Sequence, residues 1–72
     1  MKENFDLIEK LKEELPLVFA RKEIDRLLPG LISSKSLANL SSQGKGPPSY
    51  HHGRTVIYDR DDFLHWLGER VR

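Results

Sequence analysis

Residues 20–43, ARKEIDRLL-PGLI-SSKSLANLSSQ, decide the fold. In the first part, Ala20, Ile24, Leu27, Leu28 and Leu31 form an apolar stripe at helical spacing, which predicts a short helix over 20–28. Pro29-Gly30 stops it. In the last part, Ser33 is a fitting N-cap and Gly44 a fitting residue just past the C-cap, so a second helix is expected over 33–43. Leu37, Leu40 and Ser41 point to one side of that helix. Lys35, Asn39 and Ser42 point to the other, at about 100° per residue. That outer face is small, polar and cationic, and it carries no carboxylate. Two short helices joined by a tight Pro-Gly link have the layout of a helix-turn-helix.

Working outward, the N-terminal stretch NFDLIEKLKEEL predicts a helix over 4–15, with Asn4 as N-cap. Leu7, Ile8, Leu11 and Leu15 make its apolar stripe, and Pro16 ends it. On the other side, Gly44-Lys45-Gly46-Pro47-Pro48 fits neither a helix nor a central strand. It leads into SYHHGRTVIY, read as a hairpin over 49–58. Its strands are Tyr50-His51 and Arg54 to Tyr58, turning at His52-Gly53. Residues 60–70 predict a last helix, capped by Asp59, with Asp61 and Asp62 in the first turn where the helix dipole favours them. Phe63, Trp66 and Leu67 form its core stripe, and Phe5, Phe19 and Tyr58 are expected in the core. The expected fold is a mainly α domain with a small β-hairpin, a winged helix-turn-helix with an extra N-terminal helix.

The chain has 72 residues, a formal net charge of +1 and no cysteine. That length is one domain, 1–72, and the absence of cysteine excludes disulfides, cysteine-type metal sites and thiol chemistry. Chains this short bury only about 60% of their unfolded surface, so stability is expected to be marginal. The longest apolar run is Leu17 to Ala20, so no membrane segment is expected and the default compartment is the cytoplasm. The charge is unevenly spread: residues 1–15 carry net −2 and residues 59–72 net −1. Residues 33–58 carry three cations, Lys35, Lys45 and Arg54, and no acid. An acid-free stretch with hydroxyls and amides suits a phosphate backbone.

In a helix-turn-helix the second helix enters the major groove of DNA. Asn39 matches adenine, Lys35 guanine or a phosphate, and Ser42 either kind of edge. Ser36 and Gln43 are counted with this surface. Ser33 and Ser34 lie at the helix N-terminus, where free backbone N–H groups favour a phosphate. Lys45 is placed on the DNA backbone, and Arg54 in the adjacent minor groove or on a phosphate. Tyr50 is left open between packing on the hairpin and touching DNA. Of His51 and His52, His52 is counted as the contact, though the residues leave open which one reaches DNA.

The stretch from Arg21 to Leu67 resembles the small winged helix-turn-helix regulators of phages and mobile elements, the excisionase-like and AlpA-type proteins related to the MerR DNA-binding domain. The matching words are K-E-I at 22–24, L-A-N-L at 37–40, G-K-G-P-P at 44–48, G-R at 53–54, V-I-Y at 56–58 and D-D-F-L-H-W-L at 61–67. The resemblance implies a protein that reads DNA with helix 33–43 and the hairpin as a wing. It implies a role in transcription regulation or in DNA recombination as an excisionase, with a recombinase as a further partner. The turn at 29–33, His51-His52 and helix 4–15 depart from the family pattern.

Other chemistries find little support. A catalytic pocket has little room in 72 residues, and Asp61-Asp62 is explained by a helix start, so no enzymatic activity and no cofactor are expected. His51, His52 and His65 are the only nitrogen ligands, and adjacent strand residues point to opposite faces, so no metal site is expected. Gly44-Lys45-Gly46 lacks the frame of a phosphate-binding loop. A winged protein-protein interaction module, using the stripe of helix 4–15, is the competing reading. A single module of this kind buries only about 600–1,000 Å² of its own surface on DNA, so a homodimer or cooperative binding on double-stranded DNA is expected.

Overall fold

The computed structural model describes residues 4–70, with side chains from Asp6 onward. Among the described residues it has four α-helices and a three-stranded antiparallel sheet, a small α+β fold. Helix α1 spans Asn4–Glu14, β1 Val18–Ala20, α2 Ile24–Leu27, α3 Ser34–Ser42, β2 Tyr50–His52, β3 Thr55–Asp59 and α4 Arg60–Arg70. A single 3-10 turn, Arg21–Glu23, joins β1 to α2. The expected roles of Asn4 as N-cap and Phe5 as a core aromatic lie outside the described side chains.

The main departure from expectation is β1. Ala20 was expected to open a helix and instead ends a strand, so helical geometry begins only at Arg21. The strand forms because β3 offers it a ladder: Val18 pairs with Asp59, Phe19 with Tyr58 and Ala20 with Ile57. The chain closes this edge further when Arg60 N–H donates to the Leu17 carbonyl at 2.8 Å. The expected two-stranded hairpin is therefore the larger part of a sheet in the order β1-β3-β2. With Ala20 in β1 and Arg21–Glu23 in the 3-10 turn, α2 shrinks to one turn. Leu28, preceding Pro29, leaves the helical region at φ −130° and ψ 58°, as the proline ring demands of the residue before it.

Helix α3 follows its sequence signals. The Ser33 hydroxyl accepts from Ser36 N–H at 3.0 Å. At the other end Gly44 takes φ +73°. Gly44 N–H donates to the Ser41 carbonyl and Lys45 N–H to the Leu40 carbonyl, the two crossed bonds of a Schellman ending. Ser41 was expected to face inward and is exposed. The connector lies close over it and needs a glycine there: a Cβ on Gly46 would stand 3.2 Å from the Ser41 Cα and N. Backbone thus lies directly on backbone, and the chain is led back to β2.

The hairpin turns one residue later than expected. His52 pairs with Thr55, leaving Gly53-Arg54 as the two-residue loop. Gly53 has φ +64° and Arg54 does not share that sign, the pattern of a type II′ turn with glycine first. Arg54 thus sits at the hairpin tip. Helix α4 begins as expected, with Asp62 N–H on the Asp59 carboxylate at 3.0 Å.

The buried core is one cluster drawn from every layer. Leu15 closes α1, Phe19 comes from β1, Ile24 and Leu28 from the short second helix, Leu37 from α3 and Tyr58 from β3. Helix α4 gives Phe63, Leu64 and Leu67. Leu64 takes the place expected for Trp66, which is half-buried. The Trp66 indole N–H donates to the Lys45 carbonyl at 2.9 Å and so ties α4 to the connector. Leu31, expected in the stripe of the second helix, is 42% exposed because the Pro29-Gly30 link carries it past the core. The stripe of α1 is used within the chain: Ile8 and Leu11 pack on the core, and Ile8 meets α4 at Gly68. Among the described residues no helix is long and apolar enough to cross a membrane.

Candidate nucleic-acid interface

The positions of α3 and the hairpin create an open groove of about 390 Å³ between them. Its rim carries Arg21 and Lys22 from the 3-10 turn, Lys35 from the first turn of α3 and Arg54 from the hairpin tip. Ala38 and Val56 form apolar parts of its wall, and no carboxylate lines it. Among the described residues none of these four cations is paired with an acid. Outside the groove, Arg26 is paired with Glu23 and Arg60 with Asp61. Four unpaired cations within one groove raise the local potential and draw anions.

Of the residues expected to meet DNA, Ser34, Lys35 and Arg54 are brought together here. Asn39 and Ser42 are exposed further along α3, one and two turns beyond Lys35 and on its side of the helix. The Ser42 hydroxyl donates to the Asn39 carbonyl at 2.8 Å. Gln43 caps the helix and is exposed, as are Ser36 and Lys45. Tyr50, His51 and His52 form an exposed edge strand, with Tyr50 59% exposed. His51 stands opposite Val56, and His52 opposite Thr55, so the two imidazoles lie on opposite sheet faces.

The N-terminus of α3 differs from the expectation of an open phosphate seat. The Asp25 carboxylate accepts from Ser34 N–H at 3.0 Å and from the Ser34 hydroxyl at 2.7 Å. Ser33 is occupied with Ser36, both as acceptor from the amide and as donor to the hydroxyl. The terminus is thus filled from within the chain, by an acid that suits the positive end of the helix dipole.

The Ser34 hydroxyl, and then its amide, hold the Asp25 carboxyl below its ordinary value. A carboxyl lowered in the folded state stabilises the fold above the unfolded carboxylate value, and that gain is lost as pH falls through the lowered one. We therefore expect Asp25→Asn to have a lower urea midpoint than wild type at pH 7. The gap should narrow as pH falls below about 4, the ordinary carboxylate value, and on through the lowered one. A gap of equal size at pH 7 and pH 3 would exclude an ionised cap.

Sequence reasoning missed Arg21, Lys22 and Asp25. The first two were placed inside helix 20–28 and given no part in the site. Asp25 lies nine positions before Ser34, and no local pattern ties them. Among the described residues no three His, Asp or Glu side chains cluster as a metal site would require. Comparison with protein-family models, with curated proteins and with solved structures finds no match to this chain.

Proposed function

We propose that this protein is a winged helix-turn-helix that binds double-stranded DNA, with α3 in the major groove and the β2-β3 hairpin as the wing. One observation carries the reading. The groove between α3 and the hairpin tip gathers Arg21, Lys22, Lys35 and Arg54, all unpaired with acids among the described residues and without a lining carboxylate. Asn39 and Ser42, continuing the Lys35 side of α3, are the side chains suited to base edges. The resemblance to excisionase-like regulators rests on the motifs quoted for residues 21–67. It points to a cytoplasmic transcription regulator or recombination factor of phage or mobile-element type, with a recombinase as a second partner. A reading surface this small favours two copies on adjacent sites.

Fluorescence anisotropy with a duplex of about 30 base pairs, roughly three helical turns, tests the proposal. Binding should weaken steeply with salt. In Lys35→Ala/Arg54→Ala the slope of log K against log salt should shrink by about 1.8, or 0.9 for each of two phosphates. An absence of binding at low salt would favour the protein-interaction reading. That reading is supported by Leu17 and Val18, 66% and 56% exposed beside the free edge of β1.

A further inference from the structure

Arg21 differs from the other three cations of the groove. Its Nε–H donates to the Tyr58 hydroxyl at 2.8 Å, across 37 residues of chain. Tyr58 is fully buried, wedged between Phe19 at 5.9 Å and Phe63 at 5.6 Å between ring centroids. The guanidinium carbon stands 5.8 Å from the Tyr58 ring centroid. The anchor is therefore a rigid core residue with its oxygen turned outward to one donor. Lys22, Lys35 and Arg54 are exposed and free to move.

A guanidinium has five N–H donors, and Tyr58 occupies one. The remaining edge can form two parallel bonds to the oxygens of a phosphate, which an ammonium cannot match. An arginine normally loses side-chain freedom when it grips an anion, and this loss weakens binding. Arg21 has already lost it on folding. The tyrosine is uncharged, so it orients the guanidinium without neutralising it, as a carboxylate would.

We propose that the groove seats one backbone phosphodiester of DNA, with Arg21 as its pre-oriented ligand and Tyr58 as the positioning residue that aims it. This rests on the DNA-binding reading above and identifies the group that the groove holds. Lys22, Lys35 and Arg54 surround the seat and supply attraction of longer range. Tyr58 thus serves both the core and the site: its ring packs and its hydroxyl aims.

The test is a double-mutant cycle on duplex affinity across a salt series, with Tyr58→Phe, Arg21→Ala and the two combined. Far-UV circular dichroism confirms that each variant is folded. Arg21→Ala should weaken binding about tenfold and reduce the salt slope by about 0.9, one phosphate contact. Tyr58→Phe should weaken binding severalfold in the wild-type background and not at all in the Arg21→Ala background. A purely structural role for the hydroxyl would give the same loss in both backgrounds, which overturns the proposal. So would a Tyr58→Phe protein with wild-type affinity and slope, while Lys35→Ala/Arg54→Ala is weakened. A wild type that binds no duplex, or is indifferent to Lys35→Ala/Arg54→Ala, overturns the DNA reading and the phosphate seat together. Should Tyr58→Phe unfold, the Arg21 Nε–H resonance of the wild type decides. A signal protected from exchange that shifts on adding duplex supports the seat, and one exchanging as fast as that of Arg54 overturns it.

Discussion

Phe63→Ala is expected to leave the protein largely unfolded at room temperature. Phe63 is fully buried and stands at the centre of the aromatic cluster. It meets Phe19 edge-on at 5.3 Å, Tyr58 at 5.6 Å and Trp66 at 5.8 Å. Truncating a buried phenylalanine costs about 3–5 kcal/mol, from lost transfer energy and the cavity left behind. A core in a chain of this size rarely supplies more than about 3–5 kcal/mol of net stability, and no disulfide adds to it. The loss is as large as the whole. Phe19, Tyr58 and Phe63 join β1, β3 and α4, so the sheet and the last helix should fail together. Far-UV circular dichroism and urea titration will show it. Phe63→Leu keeps most of the volume and should remain folded, with a midpoint lowered by about 1–2 kcal/mol of stability. A cooperative transition in Phe63→Ala at near wild-type urea concentration would mean that this cluster does not hold the fold.

The second large effect concerns binding. Lys35→Glu/Arg54→Glu should lower duplex affinity by about three orders of magnitude in 0.1 M salt, with the fold intact. One phosphate contact is worth about eightfold at that salt, from a slope of about 0.9 per contact. Removing two contacts costs about sixtyfold. Reversing the charges adds repulsion of similar size, well within a Debye length of about 10 Å. Both side chains are exposed and free of ion pairs among the described residues, so reversal breaks no internal contact. Unchanged circular dichroism beside lost anisotropy is the expected pair of results. An affinity within tenfold of wild type would remove α3 and the hairpin tip as the DNA-binding surface.

Residues near one another in sequence made much of this molecule legible. Ser33 caps α3 because its hydroxyl needs to reach only Ser36 N–H. Gly44 ends the helix through bonds that span four or six residues. Asp59 starts α4, and Pro29 stops α2 through its own ring. Lys35 and Arg54 stood out as cations in an acid-free stretch, and the structure places both on one groove. The turn was misplaced by one residue because both His52-Gly53 and Gly53-Arg54 put glycine in the loop. The choice falls to the register with β3, in which His52 faces Thr55.

Sequence by itself determined α1, α3 and α4, the caps of α3 and α4, the presence of a hairpin, and two of the four groove cations. The helices, caps and hairpin depend on bonds that close within a few residues, where the chain pays little entropy to bring partners together. Tertiary structure alone decided that Val18–Ala20 is a strand, since three residues acquire a ladder only when β3 arrives from the far end of the chain. It decided that the second helix is one turn long, because β1 takes its expected start. It decided that Asp25 closes the terminus of α3, that Trp66 ties down the connector, and that Arg21 rests on Tyr58. Each of these rests on one or two hydrogen bonds between residues nine or more apart in sequence, fixed only once the core between them has packed.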